Sequence, residues 1–101
     1  MVANTNEVLN LINSKKDEIN KLGINKVGLF GSFSRGDQNP QSDIDLLVEF
    51  NPGKKTFKNY MGFVRLTENL FGREVEVVTP ESLSPYLAPY IKREVKYVET
   101  V

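Results

Sequence analysis

Two short segments of the sequence combine residue types that could together hold a nucleoside triphosphate and a metal ion. The first is rich in glycine and hydroxyl side chains and contains one arginine: Gly31-Ser32-Phe33-Ser34-Arg35-Gly36. The second follows after six intervening residues and carries two aspartates at alternate positions: Asp43-Ile44-Asp45-Leu46-Leu47-Val48. Either segment alone is common in proteins, so it is their combination at this spacing that indicates a functional site.

The second segment has the pattern of a β-strand, over residues 43–50. Successive side chains of a strand point to opposite faces, which places Asp43 and Asp45 on the same face, roughly 6.5 to 7 Å apart. At that distance two carboxylates repel each other by roughly 2 to 3 kcal/mol at an effective dielectric constant near 20. Magnesium would relieve this repulsion, because it prefers oxygen ligands and is usually bound by one or two carboxylates together with substrate phosphates.

The first segment has the chemistry of a phosphate-binding loop. Gly31 and Gly36 allow backbone angles that other residues avoid, and they let main-chain N–H groups approach a ligand closely. Ser32 adds a hydroxyl donor, and Arg35 adds a planar cation suited to phosphate. The loop is not a Walker A motif, because no Gly-Lys-Ser/Thr opens a helix after it, and turn residues lead directly into the strand.

Each of these residues also has a purely structural interpretation. The two glycines could close a hairpin loop, the two aspartates could lie on a solvated strand face, and Arg35 could be a surface charge. A bare hairpin does not require all of them together, so the joint pattern favours the functional interpretation.

Composition limits the chemistry that this chain can perform. Its 101 residues predict a single domain over residues 1–101. The sequence lacks both cysteine and histidine, which leaves carboxylates, hydroxyls, lysine and arginine for catalysis. Thirteen basic and thirteen acidic side chains balance, so nucleic acid is not expected as a direct ligand. No apolar run could span a bilayer, and we expect a soluble cytoplasmic protein without membrane contact.

Hydrophobic periodicity predicts helices on a small mixed sheet, an α/β fold. A first helix is expected over 5–22, strands over 26–30, 43–50 and 73–78, and a second helix from 57 to the terminator Gly72. Thr79-Pro80 is typical of a helix start. Pro85 could open a further helical segment that Pro89 interrupts or restarts, and residues 95–100 could form a final strand. The long loop between strands one and two suits an antiparallel pair, and the helix between strands two and three suits a parallel one.

The third strand adds a possible third carboxylate to the site. If it lies beside the second strand, Glu76 falls on the same face as Asp43 and Asp45. An exposed strand glutamate without a role explains the same residue nearly as well.

The two segments together resemble the signature of the DNA polymerase β-like nucleotidyltransferase superfamily, and more closely the minimal nucleotidyltransferases of prokaryotes. The resemblance includes Ser42, directly before Asp43, and extends over residues 73–83, which are similar to the family's third-carboxylate strand and the turn after it. It implies the polymerase β-like nucleotidyltransferase core. It also implies that the loop and Ser42 bind ATP, and that Asp43, Asp45 and Glu76 are the catalytic and metal-binding residues. The family usually has aspartate at the third position, where this chain has Glu76.

The resemblance further implies a reaction and a partner. An acceptor hydroxyl would attack the α-phosphorus of ATP with two magnesium ions present, and pyrophosphate would leave. Minimal nucleotidyltransferases are commonly encoded beside HEPN proteins, as antitoxin and toxin, and adenylylate a tyrosine of the HEPN partner. The same role is expected for this chain. A toxin-binding module without catalysis, and a nucleotidyltransferase subunit acting on RNA or a small molecule, remain alternatives, and the sequence leaves a homo-oligomer open.

Overall fold

The computed structural model describes residues 2–99. Two helices precede the first strand, and each later strand follows one or two helical segments. The elements are α1 (Thr5–Ser14), α2 (Lys16–Lys21), β1 (Ile24–Phe30), α3 (Ser32–Arg35), β2 (Ile44–Phe50), α4 (Phe57–Phe71), β3 (Val75–Val78), a 3₁₀ helix (Pro80–Ser82), α5 (Ala88–Glu94) and β4 (Lys96–Glu99).

The four strands form one mixed sheet in the order β3-β2-β1-β4. Strand β1 pairs antiparallel with both β2 and β4, whereas β2 and β3 are parallel. The predicted α/β fold is therefore confirmed, including the antiparallel and parallel pairs inferred from the two connections. The sheet brings the ends of β1, β2 and β3 that carry the predicted site residues side by side.

One face of the sheet packs against the helices and forms the core. Alternate residues of β1 and β2 are completely buried there, as the strand periodicity predicted. Helices α1, α2 and α4 contribute their apolar stripes, and α3 contributes one aromatic side chain. The fully buried members are Val8, Ile12, Ile19, Ile24, Val27, Leu29, Phe33, Ile44, Leu46, Val48, Phe63 and Phe71.

The opposite face of the sheet carries the acidic residues. Asp45 points to this face because it lies between the core residues Ile44 and Leu46 on β2. Leu47 shares the same face and is 1% exposed. The face that carries Asp45 is therefore buried at Leu47, two residues further along β2.

The prediction of one continuous first helix over 5–22 is wrong, because two shorter helices, α1 and α2, occupy this range. Lys15 interrupts the helix with φ −110° and ψ 14°. The hydroxyl of Ser14 donates a hydrogen bond to the carbonyl of Leu11 at 2.7 Å, and such bonding back along the chain bends helices. The two short helices keep Ile12 and Ile19 buried on the same core.

In the C-terminal segment, the sequence left open whether a helix begins at Pro85 or at Pro89, and the structure decides this. Residues 85–87 form a turn, and α5 begins at Ala88 with Pro89 in its first turn, where proline is tolerated. Strand β4 confirms the predicted final strand over Lys96–Glu99, while Thr100 lies outside the described residues. Between residues 2 and 99, the structure contains no helix with the length and apolarity of a membrane span.

Candidate functional site

The glycine loop and the acidic strand meet at Gly31. This residue follows β1 directly and has φ +76°, a conformation that favours glycine. A Cβ atom built on Gly31 would lie 2.1 Å from Oδ2 of Asp45, so no larger residue fits without a shift. The predicted loop and the predicted strand therefore contribute to the same small volume.

The register of the sheet places Glu76 beside Asp45. These two residues are direct partners in the parallel pairing of β2 and β3, and Phe30 is the partner of Asp45 on β1. Asp43 lies one position before β2 and is exposed, as is Glu76. The expectation that Glu76 shares the face of Asp45 is confirmed, whereas its role remains a prediction.

The electrostatics of Asp45 reflect this crowding of carboxylates. Partial burial, a hydrogen bond with the Glu76 side chain and repulsion by Glu76 and Asp43 raise the pKa of Asp45 to about 6. The positive charge of Arg35 opposes this rise without cancelling it. Among residues 2–99, the positive charge near Asp45 is therefore too small to offset its burial and the neighbouring carboxylates.

This shortage of positive charge fits a cation. The available metal ligands are carboxylate oxygens, which magnesium prefers. Across residues 2–99, no group of three or more acidic side chains is arranged to hold a metal ion by itself. Magnesium commonly takes one or two protein carboxylates and completes its shell with phosphate and water, and Asp43 and Asp45 fit that pattern.

The loop after Gly31 contains a short helix that the sequence analysis did not predict. Ser32 begins α3, and the amides of Ser34 and Arg35 both donate to the carbonyl of Gly31. Gly36 ends the helix in the left-handed conformation, with open space around its Cα. Gly36 therefore serves the turn, while Gly31 lies beside the carboxylates.

Arg35 is held by two carboxylates in this structure. Its Nη1 atom lies 3.0 Å from Oε2 of Glu94, and its Nε atom lies 3.2 Å from Oδ2 of Asp37. Both contacts raise the pKa of Arg35 above its ordinary value. The guanidinium stays half-exposed beside the loop, in a position to meet an anion.

Ser42 closes the turn that precedes Asp43. Its hydroxyl accepts a hydrogen bond from the amide of Asn39 at 2.9 Å, and its own amide donates to the carbonyl of Asn39. A pocket of about 240 Å³ adjoins this turn and is lined partly by Ser42, Asp43 and Arg73. The structure thus gives Ser42 a supporting contact, and its contact with nucleotide remains a prediction.

Arg73 fixes the same turn from the start of the β3 region. Its Nη1 atom donates to the carbonyls of Pro40 and Ser42 at 2.9 and 3.1 Å. Its Nε atom donates to the carbonyl of Val2 at 2.9 Å, and the guanidinium lies 5.0 Å from the centre of the Phe33 ring. One side chain therefore connects the turn before Asp43 with α3, which makes Arg73 a positioning residue.

Replacing Arg73 should misplace Asp43. We expect Arg73→Ala to lower the free energy of unfolding by about 1 to 2 kcal/mol, because the partly buried hydrogen bonds to the carbonyls of Val2 and Ser42 lose their donor. Any nucleotidyl transfer should slow by about tenfold at saturating ATP, since a small displacement of a reacting group is costly. Urea unfolding and initial rates measure the two effects. Arg65→Ala, at an exposed position of α4, is the control, and an Arg73→Ala protein with the wild-type rate would contradict the positioning role.

Two residues contact the loop from far along the chain, and no sequence motif predicted them. Glu94 ends α5 and accepts a hydrogen bond from the Gly31 amide at 2.9 Å, and Lys96 donates to the carbonyl of Ser34 at 2.9 Å. These residues carry no motif, and 59 or more positions separate Glu94 from its loop partners. The pairing of β4 with β1 brings them to the site.

Comparison with known proteins gives a family and close relatives. Residues 12–98 match the family model described as nucleotidyltransferase domain. A candidate protein adenylyltransferase of Methanocaldococcus jannaschii is 34% identical to this chain, over 83% of it and 86% of the relative. The protein adenylyltransferase MntA of Thermococcus cleftensis is 32% identical, over 91% of this chain and 93% of the relative.

Solved structures share the fold. The structure of a candidate minimal nucleotidyltransferase superimposes with a TM-score of 0.71 at 29% identity, covering 87% of this chain and 93% of that one. A toxin–antitoxin crystal structure with AMP-PNP has a TM-score of 0.67 at 24% identity, covering 94% of this chain and 72% of that one. At that lower identity the likeness establishes the fold alone.

Proposed function

Because the chain belongs to the nucleotidyltransferase domain family, we propose that it transfers AMP from ATP to a hydroxyl group of a partner toxin. The modification would inactivate the toxin, so the chain would act as its antitoxin. Two relatives carry protein adenylyltransferase in their names, and a toxin–antitoxin structure with AMP-PNP shares the fold. These likenesses support ATP as the donor and a toxin as the partner.

The observation that carries the proposal is the contact between Gly31 and Asp45. It places the loop suited to phosphate directly against the strand suited to a cation, with no room for a Cβ between them. A site for a triphosphate and its cation needs donors and carboxylates at this close range. A hairpin that only connected two strands would not require this arrangement.

The proposal assigns a role to each part of the site. The Gly31 amide, Ser32 and Arg35 bind the triphosphate, while Gly36 and Ser42 hold the two ends of the loop segment in place. Asp43 and Asp45 hold magnesium, with Glu76 adjoining them. Bound magnesium would neutralise the charge that develops on the attacking and leaving oxygens. In its presence we expect Asp45 to stay ionised at neutral pH, because a nearby cation favours the charged form.

The reaction itself is an in-line displacement at phosphorus. The oxygen of the acceptor hydroxyl forms a bond to the α-phosphorus of ATP, and the bond from that phosphorus to the bridging oxygen breaks. Pyrophosphate leaves, and the hydroxyl proton passes to Glu76 or to water. Glu76 is available for this task because its carboxylate is exposed and lies beside Asp45 in the sheet.

A partner protein best explains where the acceptor binds. The site residues lie at an exposed strand end. The cavity of about 400 Å³ lined by Glu49, Lys55 and Glu81 includes none of them, and the pocket of about 240 Å³ beside the site includes Ser42 and Asp43 but neither Asp45 nor Glu76. Tyr86, Leu87 and Tyr90 are 85%, 57% and 65% exposed, and exposed aromatic side chains are enriched in protein interfaces. We propose a HEPN-type toxin as this partner, meeting the chain in the cytoplasm where ATP is available.

Labelled ATP tests the proposed reaction. The purified chain is incubated with the toxin encoded beside it, magnesium, and ATP labelled at either the α- or the γ-phosphate. Transfer of AMP predicts label on the toxin from α-labelled ATP alone and none when a chelator removes the metal. Label from γ-labelled ATP would indicate a phosphotransferase, and absence of label from both would contradict the proposal for a folded sample.

A toxin-binding module without catalysis is the first alternative, and Glu76 in place of the usual aspartate is the feature that favours it. Asp43→Asn combined with Asp45→Asn separates the two functions. Catalysis predicts that this protein still binds the toxin but no longer neutralises it. Full neutralisation by the doubly substituted protein would establish binding alone. A third candidate, transfer to RNA or a small molecule, is tested by offering those acceptors with α-labelled ATP.

A further inference from the structure

A carboxylate of the chain itself lies on the donors of the phosphate-binding loop. Glu94 accepts a hydrogen bond from the Gly31 amide through Oε1 at 2.9 Å. Its Oε2 atom lies 3.0 Å from Nη1 of Arg35. The backbone amide and the guanidinium to which this site would bind phosphate are thus both engaged by one anionic side chain.

The position of Glu94 in its own helix makes this contact informative. Glu94 is the last residue of α5, where the helix dipole disfavours negative charge. Its side chain is nonetheless only 24% exposed, because it is turned toward the loop. The helix itself does not stabilise a negative charge at this position. The loop donors do stabilise it, because hydrogen bonds to an ionised group are stronger than those between neutral groups.

We propose that Glu94 occupies the position of a nucleotide phosphate and must leave the loop before the triphosphate binds, so that it sets the affinity of the site. This inference rests on the proposed function. A carboxylate and a phosphate are both anions that accept hydrogen bonds from amide and guanidinium groups. The two anions cannot share the Gly31 amide, because its single N–H group donates to one strong acceptor in good geometry. At Arg35, Glu94 occupies Nη1, so a phosphate would have to compete with it there.

Repulsion also disfavours simultaneous occupancy. The site already gathers the carboxylates of Asp43, Asp45 and Glu76, and repulsion among them contributes to the raised pKa of Asp45. A triphosphate adds several negative charges beside them, and Glu94 would add another if it stayed. Displacement of Glu94 frees the positive charge of Arg35 for the incoming phosphates.

The displacement requires only a side-chain movement. The segment around Glu94 has other hydrogen bonds to the loop, which do not involve the Glu94 carboxylate. The Ser34 hydroxyl donates to the Glu94 carbonyl, and Lys96 donates to the Ser34 carbonyl at 2.9 Å. Strand β4 also stays paired with β1 through its ladder. The end of α5 therefore remains in place while the Glu94 carboxylate turns away.

Inorganic tripolyphosphate is the direct probe, because it carries the anionic part of the nucleotide without base or ribose. Calorimetric titration of the full chain without magnesium compares the wild type with Glu94→Gln, which is isosteric and keeps an acceptor for Gly31. Removing the competing charge should tighten binding by about three- to tenfold, the range expected for a partly exposed ion pair. Glu99→Gln removes the same charge from an exposed position of β4 and should change affinity by less than about twofold.

An independent measurement uses the wild-type protein. The amide resonance of Gly31 and the carboxyl resonance of Glu94 should both shift as tripolyphosphate is added, because the probe replaces one contact of each group. Equal or weaker binding by Glu94→Gln would overturn the proposal, as would a failure of both proteins to bind. These binding results do not test whether the chain transfers AMP. The labelled-ATP assay tests that separately, because it detects the modified toxin.

Discussion

Asp45→Asn should abolish most nucleotidyl transfer while making the metal-free protein more stable. Loss of a charged metal ligand removes several kcal/mol of transition-state stabilisation, which corresponds to a rate lower by about a thousandfold. Stability changes in the opposite direction because ionised Asp45 is unfavourable in the folded chain. With a pKa of about 6, the folded state retains the Asp45 proton at pH values where the unfolded chain has lost it.

The sign of the pH dependence follows from that difference. Between the ordinary pKa of aspartate and pH 6 the folded state binds more protons, so the free energy of unfolding falls as pH rises. Above this range the penalty is constant, at about 1 to 2 kcal/mol after allowance for partial exposure and coupling. Asp45→Asn should remove this part of the slope and unfold at higher temperature in a chelator at pH 7.5.

Thermal unfolding in a chelator and the rate of AMP incorporation check the two halves of this prediction. Asp17→Asn is the matched control, because Asp17 is exposed on α2, and it should change stability by less than about 0.5 kcal/mol. Magnesium with ATP should stabilise the wild type and not Asp45→Asn. An Asp45→Asn protein that is less stable than the wild type in the chelator would contradict the account of the site's electrostatics.

Gly31→Ala should damage both the fold and the site. The added Cβ would lie 2.1 Å from Oδ2 of Asp45, and alanine would also be strained at φ +76°. We expect the free energy of unfolding to fall by about 2 to 4 kcal/mol, since strain and steric clash add. Transfer should fall by at least about a hundredfold, because the loop amide and the Asp45 carboxylate can no longer lie side by side.

Gly53→Ala separates backbone strain from the clash. Gly53 has φ +77° and open space around its Cα, outside the loop. Its substitution should cost about 1 kcal/mol of stability through strain alone and leave transfer intact. Urea unfolding and transfer rates of both proteins provide the comparison. Equal losses of stability, with full transfer by Gly31→Ala, would show that the contact between Gly31 and Asp45 is dispensable.

The sequence predicts the fold where local patterns agree with tertiary packing. Helix α4 begins and ends where its apolar stripe and Gly72 indicated, and the alternation of β2 correctly assigned Ile44, Leu46 and Val48 to the core. The break at Lys15 escaped prediction because the apolar stripe continues across it. The short helix α3 escaped because its four residues provide too few positions for periodicity to appear.

The sequence predicts those site residues that lie close together along the chain, namely the loop from Gly31 to Gly36 and the two aspartates after it. Loop and strand lie within one connection of each other, and the strand pattern placed Asp43 and Asp45 on one face. The placement of Glu76 on that face also required β3 to lie beside β2, a condition that the parallel pairing satisfies. The contacts of Glu94 and Arg73 depend on how α5 and the start of β3 return to the loop, which no local pattern encodes. The raised pKa of Asp45 likewise depends on burial and on its neighbours in space.

The intact mass of the toxin tests the central claim most directly. The toxin encoded beside this chain is incubated with ATP, magnesium and either the wild-type chain or Asp45→Asn, and its mass is then measured. The proposed function predicts a gain of one or more whole AMP groups with the wild type, located on a hydroxyl side chain by fragmentation, and an unchanged mass with Asp45→Asn. An unchanged mass with folded wild-type protein, or the same gain with Asp45→Asn, would contradict it.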